Sequence, residues 1–182
     1  ASIAGLLHAH GIGADAKAGL YLHNTNEYQE AQFGVFKVGG CPINVNYRYK
    51  ADELVYLLDN ADAEVVFYQA CYAMRIWEIR ERLPKVKLLV QIDDGTEALL
   101  KGAVDYERAI RDHAPLARQT QNPEATYMLY TGGTTGMPKG VMLSHENAVA
   151  CAVGLRHLMA EYEITGAGDV YLAYLPLAHI ME

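Results

Sequence analysis

The sequence predicts an α/β fold in which a mostly parallel sheet carries helices on both faces. Two patterns carry that expectation. Short β-rich runs alternate with helical periods, the order that yields parallel strands joined by crossover helices. The composition, 51% hydrophobic and 20% charged with only 6 Pro in 182 residues, is that of a chain with a core and excludes intrinsic disorder.

Taken in order, the β-rich runs predict strands over 18–22, 63–68, 88–92, 127–131 and 170–175. Between the first two, Tyr28, Ala31, Val35 and Val38 recur at helical spacing, as do Leu54, Leu57, Leu58 and Ala61. Each set predicts a helix with one buried face. A further helix is expected from His145 to about Glu161, its first turn capped by the Ser144 hydroxyl. Gly166 to Asp169 then breaks that pattern. The run from Asp93 to Gly102 reads as a surface excursion, and the polar run from Arg118 to Glu124 as a linker too short to separate domains. No internal repeat or low-complexity segment interrupts the order.

Charge and cysteine content narrow the function. With 15 basic and 22 acidic residues the formal charge is −7 and no Lys/Arg cluster forms, which argues against nucleic acid as a partner. Cys41, Cys71 and Cys151 are odd in number and hold no CxxC pair, so neither a disulfide framework nor a zinc knuckle is expected. All three read as ordinary small buried side chains in a reducing cytoplasm. The longest apolar run, Ala148 to Leu155, falls far short of the ~20 residues that span a bilayer, so no transmembrane segment is expected. Both ends read as cuts: Ala1 follows no initiator Met, and the sequence stops abruptly at Glu182.

The chemistry concentrates in Tyr130-Thr131-Gly132-Gly133-Thr134-Thr135-Gly136-Met137-Pro138-Lys139-Gly140, which follows a predicted strand. Glycines let backbone N–H groups approach an anion closely, threonine hydroxyls add donors, and Lys139 adds a mobile positive charge. The residue types suit a flexible polyphosphate clamp. This is no Walker A loop, because Lys139 lies between Pro138 and Gly140. A plain glycine-rich turn between a strand and a hairpin partner, with Lys139 merely solvated, is the competing reading of the same residues.

The stretch from Tyr130 to Gly140 closely resembles the phosphate-binding signature of the adenylate-forming superfamily, which contains acyl-CoA synthetases, peptide-synthetase adenylation domains and beetle luciferases. Gly132 stands where the signature often has Ser. A second stretch, Tyr174-Leu175-Pro176-Leu177-Ala178-His179-Ile180, resembles the next superfamily motif in its fatty acyl-CoA synthetase form. A third resemblance, running from Gly19 to Phe67, is to the N-terminal subdomain of these enzymes, where such residues are mainly scaffold. Within it Arg48, between two tyrosines, reads either as a nucleotide contact or, more simply, as packing and cation–π contact.

The resemblance implies that residues 1–182 are part of the large N-terminal AMP-binding domain, truncated at both ends, with the C-terminal domain absent. It implies an ATP-dependent fatty acyl-CoA synthetase that uses Mg2+ and CoA and works in the cytoplasm, with peripheral contact at membranes. A carboxylate would attack the ATP α-phosphate to give an acyl-adenylate and pyrophosphate, and the CoA thiol would then displace AMP. Thr131, Gly132, Gly133, Thr134, Thr135, Gly136 and Lys139 would hold the phosphates, and His179 would border the reacting carboxylate beside the acyl tunnel. No metal ligand can be assigned within the sequence, and the 182 residues alone are expected to be inactive. Other members of the superfamily, a nucleotide-binding module without catalysis, and an unrelated α/β domain stand as alternatives at this point.

Overall fold

The computed structural model describes residues 1–118, 120, 122, 124–131 and 137–162. Its elements are α1 (Ser2–Ala9), β1 (Lys17–Tyr21), α2 (Asn26–Lys37), β2 (Cys41–Asn44), α3 (Ala51–Asn60), β3 (Ala63–Gln69), α4 (Ala73–Ile79), β4 (Leu88–Ile92), β5 (Val104–Asp105), α5 (Tyr106–Asp112), β6 (Thr126–Thr131), β7 (Lys139–Ser144) and α6 (His145–Glu161). Seven strands form one sheet in the order β5-β4-β3-β1-β2-β6-β7. All neighbours are parallel except β6 and β7, which pair antiparallel.

Side-chain alternation along β1 builds two cores. Ala18, Leu20 and Leu22 pack with Val65, Phe67 and Val90 beneath α1, α2 and α5. On the opposite face Tyr21 packs with Ile43, Val66 and Tyr68 beneath α3 and α4. The α/β fold with helices on both faces is therefore observed. The placement follows from crossover handedness. The connection from β1 to β2 runs one way along the sheet, and that from β2 to β3 runs back past β1. A constant hand then requires α2 and α3 to lie on opposite faces. Between β1 and β3, the loops leaving the carboxyl ends of the strands diverge, which makes this the switch point of the sheet.

The strand expected over 88–92 and the helix from His145 to Glu161 are found as read. The Ser144 hydroxyl accepts from the Asn147 amide at 3.1 Å, and the Asn147 side chain accepts in return from the Ser144 amide at 3.1 Å. The other described strands shift by a residue at one or both ends. The strand expected over 170–175, the break at Gly166–Asp169 and the motif from Tyr174 to Ile180 lie outside the described residues.

Several elements carry no sequence signal. Strand β2 contains Pro42, which argues against a central strand. The sheet accommodates it because Cys41 and Val45 donate to Ala16 and Leu20 at 2.8 and 3.2 Å, turning the Pro42 nitrogen toward β6, whose pairing starts only at Ile43. Helix α1 has no side-chain cap and is held by its buried Ile3, Leu6 and Leu7 instead. The two-residue β5 is too short to show alternation, and it ends where the Asp105 carboxylate caps α5 by accepting from the Arg108 amide at 2.7 Å.

The cysteine expectation is corrected. Cys41 is buried, but Cys71 and Cys151 are exposed, and all three are free thiols. Cys71 sits on the 3-10 turn Ala70–Tyr72 at the carboxyl end of β3, where it is exposed among the described residues. Partial desolvation and the neighbouring Asp94 carboxylate push its thiol up to about 11. Cys151 lies on an α6 face that no described element covers.

Packing of α3 against the sheet leaves little room beside Gly19. A Cβ on Gly19 would stand 2.7 Å from Leu58 Cδ2. Gly19→Ala is expected to cost about 1–3 kcal/mol by overpacking, and Leu58→Ala about 2–5 kcal/mol by opening a cavity. The double substitution should cost clearly less than the sum, since the truncated Leu58 makes room for the new methyl. Urea denaturation of the four proteins measures this, and strict additivity would show that the two positions do not share that space.

Candidate phosphate-binding site at the carboxyl edge of the sheet

Strand β6 continues the parallel sheet through Ile43↔Met128 and Asn44↔Leu129, so it ends on the same edge as β2. That edge, outside the carboxyl ends of parallel strands, is where open α/β sheets hold ligands. The chain there makes a hairpin: β7 returns antiparallel to β6, with pairs from Thr126↔Ser144 to Thr131↔Lys139. The loop between them is residues 132–138. The hairpin partner expected only under the plain-turn reading is thus present, and β7 stands between the loop and α6. Its sequence gave no strand signal because it opens with Lys139-Gly140 and leaves Val141 and Met142 exposed.

Two of the residues read as phosphate ligands, Thr131 and Lys139, are directly opposite each other in this ladder. Directly opposite residues share a face of the sheet, so the hydroxyl and the ammonium both stand at the mouth of the loop. Both are exposed. Gly132, Gly133, Thr134, Thr135 and Gly136 lie outside the described residues, as does His179. Among the described residues no group of three His, Cys, Asp or Glu converges in a way that could hold a metal ion. Donor-type groups without carboxylates suit a polyanion better than a bare cation.

The opposite face of the hairpin is tied to α3. The Tyr130 hydroxyl donates to Asn60 Oδ1 at 2.7 Å, and the Tyr56 hydroxyl donates to the Pro138 carbonyl at 3.1 Å. Desolvation pushes the Tyr130 phenol up to about 12, so it stays a neutral donor through the physiological range. The Tyr130 ring lies across its partner Gly140, where a Cβ would come within 3.2 Å of the ring and 2.9 Å of Met128 Sδ. Sequence reading missed Tyr56 and Asn60. Their positions on α3 gave only helical periodicity, and their partners lie 82 and 70 residues away.

A second polar group fills the switch point. His23 Nε2 meets the Tyr72 hydroxyl at 2.6 Å, and the His23 amide donates to Gln69 Oε1 at 2.7 Å. Arg75 donates to the Tyr49 carbonyl at 2.8 Å and to the Tyr21 hydroxyl, which itself reaches the same carbonyl at 2.9 Å. Tyr47 packs edge-on against His23 with ring centroids 4.7 Å apart. These contacts tie the groups to one another and hold the loop after β2 through the Tyr49 carbonyl. Arg48 is exposed and lies 5.6 Å from the Tyr47 ring centroid, the cation–π contact that was the simpler of its two readings.

Comparison with known proteins places this geometry. A family model described as AMP-binding enzyme matches residues 1–182. A medium-chain acyl-CoA ligase of Mycobacterium avium is 43% identical over 155 residues, 84% of this chain and 28% of that protein. A 3-oxocholest-4-en-26-oate–CoA ligase of Rhodococcus rhodochrous is 38% identical over 148 residues, 80% of this chain and 27% of that protein. Among solved structures, acetoacetyl-CoA synthetase from Streptomyces lividans superposes with a TM-score of 0.84 at 23% identity, over 100% of this chain and 29% of that one. The chain thus spans little more than a quarter of the length of these relatives. With the family model matching from the first residue to the last, the chain belongs to the family of AMP-binding enzymes.

Proposed function

We propose that this chain supplies the phosphate-binding hairpin of an ATP-dependent acyl-CoA synthetase acting on fatty acids or similarly apolar carboxylic acids. The observation that carries the reading is the pairing of Thr131 with Lys139 across the two ends of a glycine-rich loop at the carboxyl edge of the sheet. The substrate class is supported by two relatives at 38% identity or more, one named for medium-chain acids and one for a sterol-derived acid. Because the chain covers 28% of the first of these, the full reaction is assigned to a polypeptide of the relatives' length. The 182 residues contribute the phosphate end of the site and are proposed to be inactive alone. Cytoplasm, where ATP and CoA are available, is the proposed setting, with peripheral contact at membranes.

In the first step a substrate carboxylate oxygen forms a bond to the α-phosphorus of ATP. The bond to the bridging oxygen breaks, and pyrophosphate leaves with the electron pair. In the second step the sulfur of CoA attacks the acyl carbonyl and AMP departs, the thiol proton passing to solvent. Neither step needs a side-chain nucleophile, so catalysis consists of positioning and charge stabilisation. Lys139 and the Thr131 hydroxyl hold the departing phosphates, with Gly132, Gly133, Thr134, Thr135 and Gly136 completing the set. Magnesium would enter with the polyphosphate, and no ligand for it is assigned on the described residues. His179 borders the carboxylate in this proposal.

Two outcomes test it in a polypeptide of the relatives' length carrying these residues. Lys139→Ala should slow carboxylate-dependent ATP–pyrophosphate exchange about 100-fold while leaving the melting temperature unchanged, as expected for an exposed charge that stabilises a leaving group. Exchange at the original rate in the folded variant would remove the phosphate assignment. His179→Ala should change the ranking of carboxylic acids by kcat/KM more than it changes KM for ATP. The reverse pattern would move His179 to the nucleotide.

A further inference from the structure

The phosphate loop is fixed at one end by a residue that neither binds phosphate nor belongs to the loop. Residues 132–138 include three glycines, Gly132, Gly133 and Gly136, and glycine loses more backbone freedom on ordering than any other residue. A loop of that composition gains affinity for a polyanion if part of the ordering is completed before binding. The half-buried Tyr56 hydroxyl reaches from α3 to the Pro138 carbonyl at 3.1 Å. Pro138 has its φ restricted by its ring. Because the peptide that follows is planar and trans, fixing its carbonyl also fixes the Lys139 N–H, which points away from Tyr56.

Register agrees with this direction. Tyr130 and Gly140 are partners on the face toward α3, where Tyr130 meets Asn60. The next pair, Thr131 and Lys139, falls on the other face by the alternation of the pleat. The hydrogen bonds to α3 therefore hold the hairpin from behind and leave the Thr131 and Lys139 side chains free on the side where a ligand would enter. Leu54, Leu57 and Leu58 anchor α3 itself in the core, so the support is rigid.

We infer that Tyr56 is a positioning residue that, through its hydrogen bond to Pro138, sets the entry of the phosphate loop into β7 and so the placement of Lys139 against the phosphates of ATP. Asn60, through Tyr130, braces the other strand of the hairpin. The inference rests on the proposed phosphate role of Lys139 and adds to it a residue from a different element. Removing the hydroxyl alone leaves the Tyr56 ring in place, so the effect separates from loss of packing.

The experiment compares Tyr56→Phe with the unsubstituted protein, both in the polypeptide of the relatives' length, with Lys139→Ala alongside. Tyr56→Phe should raise KM for ATP about three- to tenfold, the loss expected for one hydrogen bond that orders a binding loop. KM for the carboxylic acid and the melting temperature should stay unchanged, and amide hydrogen exchange over residues 137–140 should quicken. A merely structural tyrosine would lower the melting temperature without singling out ATP. Unchanged exchange over 137–140, or faster exchange with KM for ATP unchanged, overturns the positioning role. The Lys139→Ala arm separates two failures. If Lys139→Ala impairs pyrophosphate exchange and Tyr56→Phe does not move KM for ATP, only the tether is wrong. If Lys139→Ala is itself without effect, the phosphate reading falls first and the tether's role in it falls too.

Discussion

Strand β1 is buried on both faces and flanked on both edges, and that double burial constrains everything around it. Ala18 and Leu20 need one apolar cover and Tyr21 another, so helices must occupy both sides of the sheet. Parallel neighbours on each edge cannot be reached by tight turns and require crossovers. With a fixed crossover hand, the chain can serve both edges only by changing faces, as it does between α2 and α3. The same constraint gathers the carboxyl ends of the parallel strands, and the loops that leave them, along a single edge.

Only the last described pair of strands departs from the parallel rule, and the departure shapes the candidate site. A parallel return from β6 would have required a dozen or more residues and a helix. The antiparallel return needs only residues 132–138, so the two ends of the glycine-rich loop are locked side by side by ladder hydrogen bonds. Thr131 and Lys139 are brought together by register and need no contact with each other. Tyr130 can lie across Gly140 because that residue has no side chain, which links the loop's glycine content to the strand beside it as well as to the loop.

How much of this was legible depended on the range of the interaction. Local signals survived: the Ser144 cap, the apolar period of α3 and the run of β4 each depend on neighbours within a few residues. Strand β2 was hidden because Pro42 is tolerated only by virtue of where β6 begins to pair, a fact that no window around Pro42 contains. Exposure of Cys71 and Cys151 was likewise set by which helix covers which part of the sheet. At the candidate site, the residue types of Thr131 and Lys139 drew attention from sequence alone, while their pairing across the hairpin could be seen only in the fold. Tyr56 and Asn60 carried no such message, because their partners Pro138 and Tyr130 lie 82 and 70 residues away in sequence and meet them only in the fold.

The contrast between the two polar groups on the carboxyl edge explains why one is read as a site and the other as a wall. At the switch point, His23, Tyr72, Gln69, Tyr21, Arg75 and the Tyr49 carbonyl are bonded to one another. A ligand entering there would have to break bonds already made, and each exchange returns little net free energy. Burial also pushes the Tyr21 and Tyr72 phenols up, so both keep their protons near neutral pH. At the hairpin the hydrogen bonds to α3 are made on the rear face, while Thr131 and Lys139 remain exposed in front. In the proposed role, a polyanion there would replace water on these two side chains without breaking the hydrogen bonds to α3. The bonded cluster and the braced hairpin are then complementary: one ties the sheet edge together, and the other leaves Thr131 and Lys139 exposed, as the proposed phosphate role requires.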